Sequence, residues 1–429
     1  MIYQISTTQF IILLAATILT IILSIYAANY CLLALISLRV RKKILKAPSL
    51  KKWPKVSIHL PLYNEGNVAS RLLESCINLD YPKNKLEIFV IDDSNDETKY
   101  IVDIYGNKYP ELISVIHRKS RKGYKAGALQ LALEKSTGDF IAIFDADYMP
   151  SKNFLKKMIP FFYNNDKIAF VQARCSYLNK NLSWVTKGIS LGIDGYSLID
   201  QRARHGANLL AHFSGTGGIF RKEAIMEAGG WQSDTLAEDL DLSMRLQLNG
   251  WKYTYLPNIS IPGEIPPKLT IFMKQQYRWS KGFTQCFLKH WKKVIRSKKL
   301  SIFQKFEALI QLGTYFVYPF SFVGLLYSLL LLLVFPVDFF FNDYWKSVFA
   351  PVISLSSAMI YFSPFFFYGT TISELNKWDK KESTDFTNIL FLLIIGPTTL
   401  IANTKGILEA LTQKRSPFNR TFKFGFMDN

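Results

Sequence analysis

Residues 9–38 contain no charged side chain; the first one met is Arg39. That run exceeds the roughly 20 apolar residues needed to cross hydrocarbon, so it is expected to be a membrane helix. A cleaved signal peptide has a shorter apolar region, of about 7–15 residues, and small residues at its cleavage point. Here a basic cluster follows directly: Arg39, Arg41, Lys42, Lys43, Lys46, Lys51, Lys52 and Lys55, with no acid among them. Basic side chains beside a span mark its cytoplasmic end. The N-terminus is therefore expected outside and the central part of the chain in the cytosol.

Three further apolar stretches, 314–336, 347–372 and 387–403, read as spans, the last interrupted by Gly396-Pro397. The charges that flank them conflict. Lys377, Lys380 and Lys381 place the loop near 373–386 in the cytosol, and Lys414, Arg415, Arg420 and Lys423 place the tail there too. One full span between them cannot satisfy both, so either 387–403 dips in and returns or the charge rule fails. The expected organisation is an N-terminal membrane helix (1–40), a cytosolic domain with an interface helix (41–300), and a C-terminal membrane region with a basic tail (301–429).

The formal net charge of +19 admits a nucleic-acid partner in principle. The basic residues crowd the membrane-flanking stretches 39–55, 289–305 and 414–423, a placement that anionic headgroups explain directly. Membrane lipids are the expected partner and nucleic acid is not. Cys31, Cys76, Cys175 and Cys286 are scattered without metal-ligand spacing and read as reduced packing residues.

Within the central part, 56–60, 86–91, 140–144 and 168–173 are short apolar runs of the buried-strand type. Helical patterns lie at 68–79, 124–136 and 152–163. Strands alternating with helices predict an α/β fold, a mostly parallel sheet covered on both faces, with ligands bound beyond the carboxyl ends of the strands. Phe283, Phe287, Trp291, Val294 and Ile295 recur at helical spacing with lysines between them, as in a helix lying in the membrane interface.

Acids stand where that sheet would bind. Asp145 and Asp147 follow the third apolar run, and two carboxylates one residue apart suit Mg²⁺ or Mn²⁺, which take oxygen ligands and leave positions for phosphate. A lone aspartate there would be an ordinary turn residue; acids at successive strand ends suggest a shared site. Asp92 and Asp93 end the second run, opposite Tyr63 and Glu65 after the first, and could face a nucleoside. Tyr63 could equally be a packing aromatic. Lys125, at a predicted helix start, suits a phosphate. Glu238, Asp239 and Asp241 open another helix; capping accounts for such acids in general, and Asp239 is the expected general base. Arg278 offers a planar fork for a diphosphate, and Trp279 a flat face for a sugar ring.

The ordered set Asp92-Asp93, Asp145-Ala146-Asp147, Glu238-Asp239 and Gln275-x-x-Arg278-Trp279 resembles membrane-bound family-2 glycosyltransferases, in particular the cellulose-synthase-like and glucomannan-synthase-like branch. Tyr63-Asn64-Glu65, Phe213 to Gly218, Glu227 to Trp231 and the tail Ser416 to Phe424 add to the likeness. The resemblance implies a GT-A nucleotide-sugar fold and an inverting, metal-dependent transfer. It gives Asp92 or Asp93 the nucleoside, and Asp145 and Asp147 the diphosphate and metal. Asp239 becomes the base, and Gln275, Arg278 and Trp279 grip the donor diphosphate and acceptor terminus. Gly215 and Thr216 border the acceptor sugar, with Glu238 beside them. Ala237 stands where that family often has threonine, and fewer spans are visible than in larger polymer synthases.

Three readings compete. The first extends a β-linked polysaccharide from a donor of the UDP-glucose or GDP-mannose type. The second adds one sugar to a membrane lipid, as ceramide glucosyltransferases do. The third is a non-catalytic transporter or scaffold, which predicts lost carboxylates or a broken Arg-Trp pair; both are intact. The oligomeric state is left open.

Overall fold

Among the described residues, seven strands make one sheet, in the order β3-β2-β1-β4-β6-β5-β7. The computed structural model describes residues 6–41, 45–342, 345–378, 384–414 and 420–426. Lys42, Lys43, Lys380, Lys381, Arg415 and 416–419 lie outside the described residues. The strands are β1 (Val56–Leu62), β2 (Leu86–Asp92), β3 (Ile113–His117), β4 (Phe140–Ile143), β5 (Ile168–Tyr177), β6 (Gly218–Arg221) and β7 (Lys252–Gly263). Only β6 runs antiparallel, to both β4 and β5. Val56, Ser57, Ile58, His59 and Leu60 are all buried, as expected for a strand covered on both faces.

Helices α1 (Thr7–Val40), α2 (Gly66–Ile77), α3 (Thr98–Lys108), α4 (Tyr124–Lys135) and α5 (Phe154–Met158) come first. The fifth is short because Pro160 cannot continue an α-helix, and the chain goes on as a 3₁₀ turn over Ile159–Asn164, not as the single helix expected for 152–163. Then come α6 (Trp184–Asp194), α7 (Arg202–Gly206), α8 (Lys222–Glu227), α9 (Glu238–Leu248) and α10 (Leu269–Arg296). A π-helical segment, Gly195–Gln201, joins α6 to α7. The amphipathic stretch at 283–296 and the Gln275 to Trp279 signature are thus one continuous helix.

The last helices are α11 (Ile302–Leu312), α12 (Val317–Val334), α13 (Ala350–Trp378), α14 (Thr387–Thr398) and α15 (Leu400–Leu411). Among the described residues, three segments are long and apolar enough to cross a membrane: Thr7–Val40, Thr314–Val334 and Trp345–Lys377. No residue of α12 is buried against protein, and α1 packs against both α12 and α13. The segment expected at 387–403 is two helices bent by 46°, with the break just after Gly396-Pro397. Its entry is tied to the domain by Lys180 Nζ on Thr384 Oγ1 (3.0 Å). Its exit is tied there by Lys281 Nζ on the Lys414 carbonyl (2.7 Å). Both ends of the bent pair thus contact the domain.

Candidate active site

Parallel strands bring their carboxyl ends to one edge, and the register sets Leu62 of β1 beside Asp92 of β2. The turn after β1 is fixed by Asn64, whose left-handed backbone (φ 54°) is a conformation asparagine tolerates better than most residues. Its amide donates to Ser94 Oγ (2.8 Å) and its side-chain oxygen accepts from the Asn95 amide (2.9 Å). The two loops that carry Tyr63 and Asp93 are thereby clipped together.

Consecutive residues at a strand end point to opposite sides, and that separates Asp92 from Asp93. Asp92 is buried and committed: Oδ2 lies 2.8 Å from His117 Nδ1, and Oδ1 accepts from the Ser94 amide (3.1 Å). It does not line the cavity. Asp93 does line it, gripped by the Arg118 fork, with Nε 2.7 Å from Oδ1.

Asp145 follows β4, and its amide donates to Thr216 Oγ1 (2.9 Å). Lys125, in the first turn of α4, reaches Asp145 Oδ1 at 2.6 Å, the Gly215 carbonyl at 2.9 Å and Glu238 Oε1 at 3.6 Å. Burial opposes charge on Lys125, but Asp145 and Glu238 outweigh it and raise its pKa. Asp147 is fully buried, accepts from the Glu264 amide at 3.1 Å, and is paired with Lys423 of the tail.

At the start of α9, Asp239 Oδ1 accepts from the Leu240 amide (2.8 Å). Burial and then the Glu238 charge push its pKa up to about 7, against the pull of Lys125 and Arg278. Its other oxygen faces the loop 213–217. Gly215 has a positive φ (80°), and a Cβ there would lie 3.0 Å from Asp239 Oδ2, so the loop approaches the carboxylate closely only because the side chain is missing. Gln172 of β5 splints that loop: Nε2 donates to the Thr216 carbonyl (3.1 Å), and Oε1 accepts from the Ser214 amide (3.0 Å). Gln172 was not foreseen; a polar residue inside an otherwise apolar strand was the available signal.

Gln275, Arg278 and Trp279 of α10 come to the same place. A single cavity of about 550 Å³ is lined by Tyr63, Glu65, Asp93, Lys125, Asp145, Asp147, Gly215, Thr216, Glu238, Asp239, Gln275, Arg278 and Trp279. Burial lowers the Arg278 pKa, while Glu238, Asp239 and Asp145 raise it, so this guanidinium sits in the field of three carboxylates, two from the start of α9 and one after β4. The cavity continues between α1, α12 and α13, where Tyr26, Tyr30, Tyr318 and Tyr368 line it with Asn29.

The tail closes one rim. Arg420 Nη1 lies 3.2 Å from Glu65 Oε2. The Phe424, Gly425 and Phe426 amides donate to Glu264 at 2.8, 3.0 and 3.0 Å, and Arg71 holds the same carboxylate at 2.6 Å. Burial pushes the Glu65 pKa up to about 8, with Lys423 and Arg420 opposing. These partners are far apart in sequence, and the basic tail carries no local sign of them.

Residues 57–229 match the family model described as Glycosyl transferase family 2. The chain is 36% identical over 265 residues to the probable glucomannan 4-beta-mannosyltransferase 7 of Oryza sativa subsp. japonica, covering 60% of this chain and 45% of that one. It is 35% identical over 278 residues to glucomannan 4-beta-mannosyltransferase 2 of Arabidopsis thaliana, covering 63% and 51%. The chain thus spans about half the length of the curated relatives it matches. Among solved structures, the mannosyltransferase PcManGT of Pyrobaculum calidifontis, in complex with GDP-Man and Mn²⁺, superposes with a TM-score of 0.62. That match has 19% identity and covers 93% of this chain and 100% of that one; it supports the fold. Residues 57–229 are thus similar to glycosyl transferase family 2, and the sheet that carries them is of the GT-A kind.

Proposed function

We propose that the chain is an inverting, metal-dependent transferase that moves mannose from GDP-mannose to the non-reducing end of a growing β-linked polysaccharide. The observation that carries this reading is the shared cavity: Asp145, Asp239, Arg278 and Trp279 meet there, and it runs on between membrane helices. The relatives named as glucomannan 4-beta-mannosyltransferases supply the sugar and the acceptor class.

In this reading Asp239 takes the proton from an acceptor hydroxyl, whose oxygen attacks the anomeric carbon from the face opposite the diphosphate. The C–O bond to the diphosphate breaks as the new one forms, and configuration inverts. Arg278 and Lys125 stabilise the departing negative charge, because donors fixed in a water-poor site need no reorganisation as charge develops. Trp279 stacks on the acceptor terminus, with Gly215, Thr216 and Glu238 at its edge and Gln275 beside the donor. Tyr63, Glu65 and Asp93 hold the nucleoside end.

Among the described residues no group of three His, Cys, Asp or Glu side chains converges as a metal site. The oxygen-only pair Asp145 and Asp147 would hold a hard divalent ion, Mg²⁺ or Mn²⁺, whose ligand preference is for carboxylate and phosphate oxygens. Such an ion neutralises charge on the leaving group when bound.

We further place the domain in the cytosol. Arg39 and Arg41 close α1, Lys377 lies at the end of α13, and the tail docks on the domain's cavity. One arrangement, N-terminus outside and three crossings followed by a bent segment that does not cross, satisfies the charge rule at all three.

The test is transfer of labelled mannose or glucose from GDP-mannose and UDP-glucose to β-1,4-linked manno-oligosaccharides, by purified protein with Mn²⁺. A product of many added mannoses supports the reading. One sugar on an extractable lipid, or no transfer, contradicts it.

A further inference from the structure

Arg118 and Arg121, three residues apart, are used differently. The Arg118 guanidinium is engaged throughout, by Asp93, by the Lys122 carbonyl (3.0 Å) and by the Tyr124 carbonyl (2.8 Å). Arg121 lies over the Tyr63 ring, with Cζ 3.3 Å from its centroid. Its Nε is shielded from solvent and has no hydrogen-bond acceptor, which a buried donor does not tolerate without reason. Both members of the stack line the cavity beside Asp93.

A flat guanidinium on an aromatic face occupies the volume a planar base would take. An arginine with an unmet donor also needs an acceptor, and its fork fits two adjacent ones. Guanine carries such a pair, O6 and N7, on one edge. Adenine sets an amino donor beside N7, and uracil has no second acceptor adjacent to O4 on an accessible edge.

We propose that Arg121 is the residue that selects guanine in the donor: the base takes the guanidinium's place on Tyr63, and the displaced Arg121 fork pairs with O6 and N7. This inference rests on the reading of the cavity as a nucleotide-sugar site and names the base that site prefers. Lysine cannot replace the fork, because a point charge makes no bidentate pair.

The experiment measures binding of GDP, UDP and 7-deaza-GDP, each with Mn²⁺, to the purified full chain by calorimetry, for wild type, Arg121→Ala and Arg121→Lys. Wild type should bind GDP at least about tenfold more tightly than UDP or 7-deaza-GDP, the discrimination one bidentate pair supplies. In both variants the GDP affinity should fall to the level of 7-deaza-GDP, with UDP binding unchanged; the UDP value shows that the site still folds. Equal losses for GDP and UDP would make Arg121 a phosphate contact and overturn the proposal. Unaltered GDP preference in the variants would overturn it too. If wild type binds no nucleoside diphosphate at all, it is the nucleotide-sugar reading that fails.

Discussion

Replacing Asp239 by asparagine isolates the proposed proton transfer. The substitution is nearly isosteric, and the amide oxygen can keep the 2.8 Å bond from the Leu240 amide. The group that then faces the Gly215 loop is an NH₂, which cannot accept the acceptor's proton. General-base catalysis contributes about 10²–10⁴-fold, equivalent to about 3–5 kcal/mol of barrier. The comparison belongs at pH 8, because a carboxyl with a pKa of about 7 is half protonated at neutral pH and mostly ionised one unit above. Initial rates with labelled GDP-mannose and a manno-oligosaccharide give the loss in kcat/KM, and calorimetry with GDP gives binding. Expected is a fall of at least about a hundredfold in transfer, with GDP affinity within a few-fold of wild type. Residual transfer within tenfold of wild type would refute Asp239 as the base. A parallel collapse of GDP binding would show instead that its charge holds Lys125 and Arg278 in place.

The pH profile carries a second expectation. The base works when deprotonated, so kcat/KM should rise through about pH 7 and fall roughly tenfold per unit below it. Glu238→Gln removes the like charge that helps raise Asp239, so the acid limb should move to lower pH; a limb that stays in place assigns it to another group. Asp147→Ala should abolish the Mn²⁺ dependence of GDP binding, and retention of that dependence would rule out the proposed metal site. Trp279→Ala should raise KM for the oligosaccharide about tenfold or more while leaving GDP affinity unchanged, since an aromatic platform contributes to stacking and not to the diphosphate contact. Gly215→Ala, which sets a Cβ 3.0 Å from Asp239 Oδ2 at a positive φ, should lower kcat more than acceptor affinity.

Much of the fold and site was legible where local pattern and tertiary role agree. Strands β1, β2, β4 and β5 are apolar runs because both faces of the sheet are covered. Strand β6 is four residues long and is defined by its antiparallel partners β4 and β5, and no local period marks it. Strand β7 contains Pro257 and Pro262, which read as breaks, yet it pairs along β5 across a register shift at Ala173/Arg174. The acids after β2 and β4 and at the head of α9 were readable as a set. Which of Asp92 and Asp93 faces the cavity was not, because it depends on the strand's pleat and on His117 arriving from β3. The pairing of Lys423 with Asp147 joins residues 276 apart in the chain, and Arg121 on Tyr63 joins two loops; such contacts follow from topology alone.

The most direct measurement of the account is the product made by purified protein from GDP-[¹⁴C]mannose, Mn²⁺ and a short β-1,4-manno-oligosaccharide. A ladder extended by many residues and degraded by endo-β-mannanase is the predicted result. Label that partitions into organic solvent as a single mannose on lipid, or a ladder built from UDP-glucose alone, would contradict it.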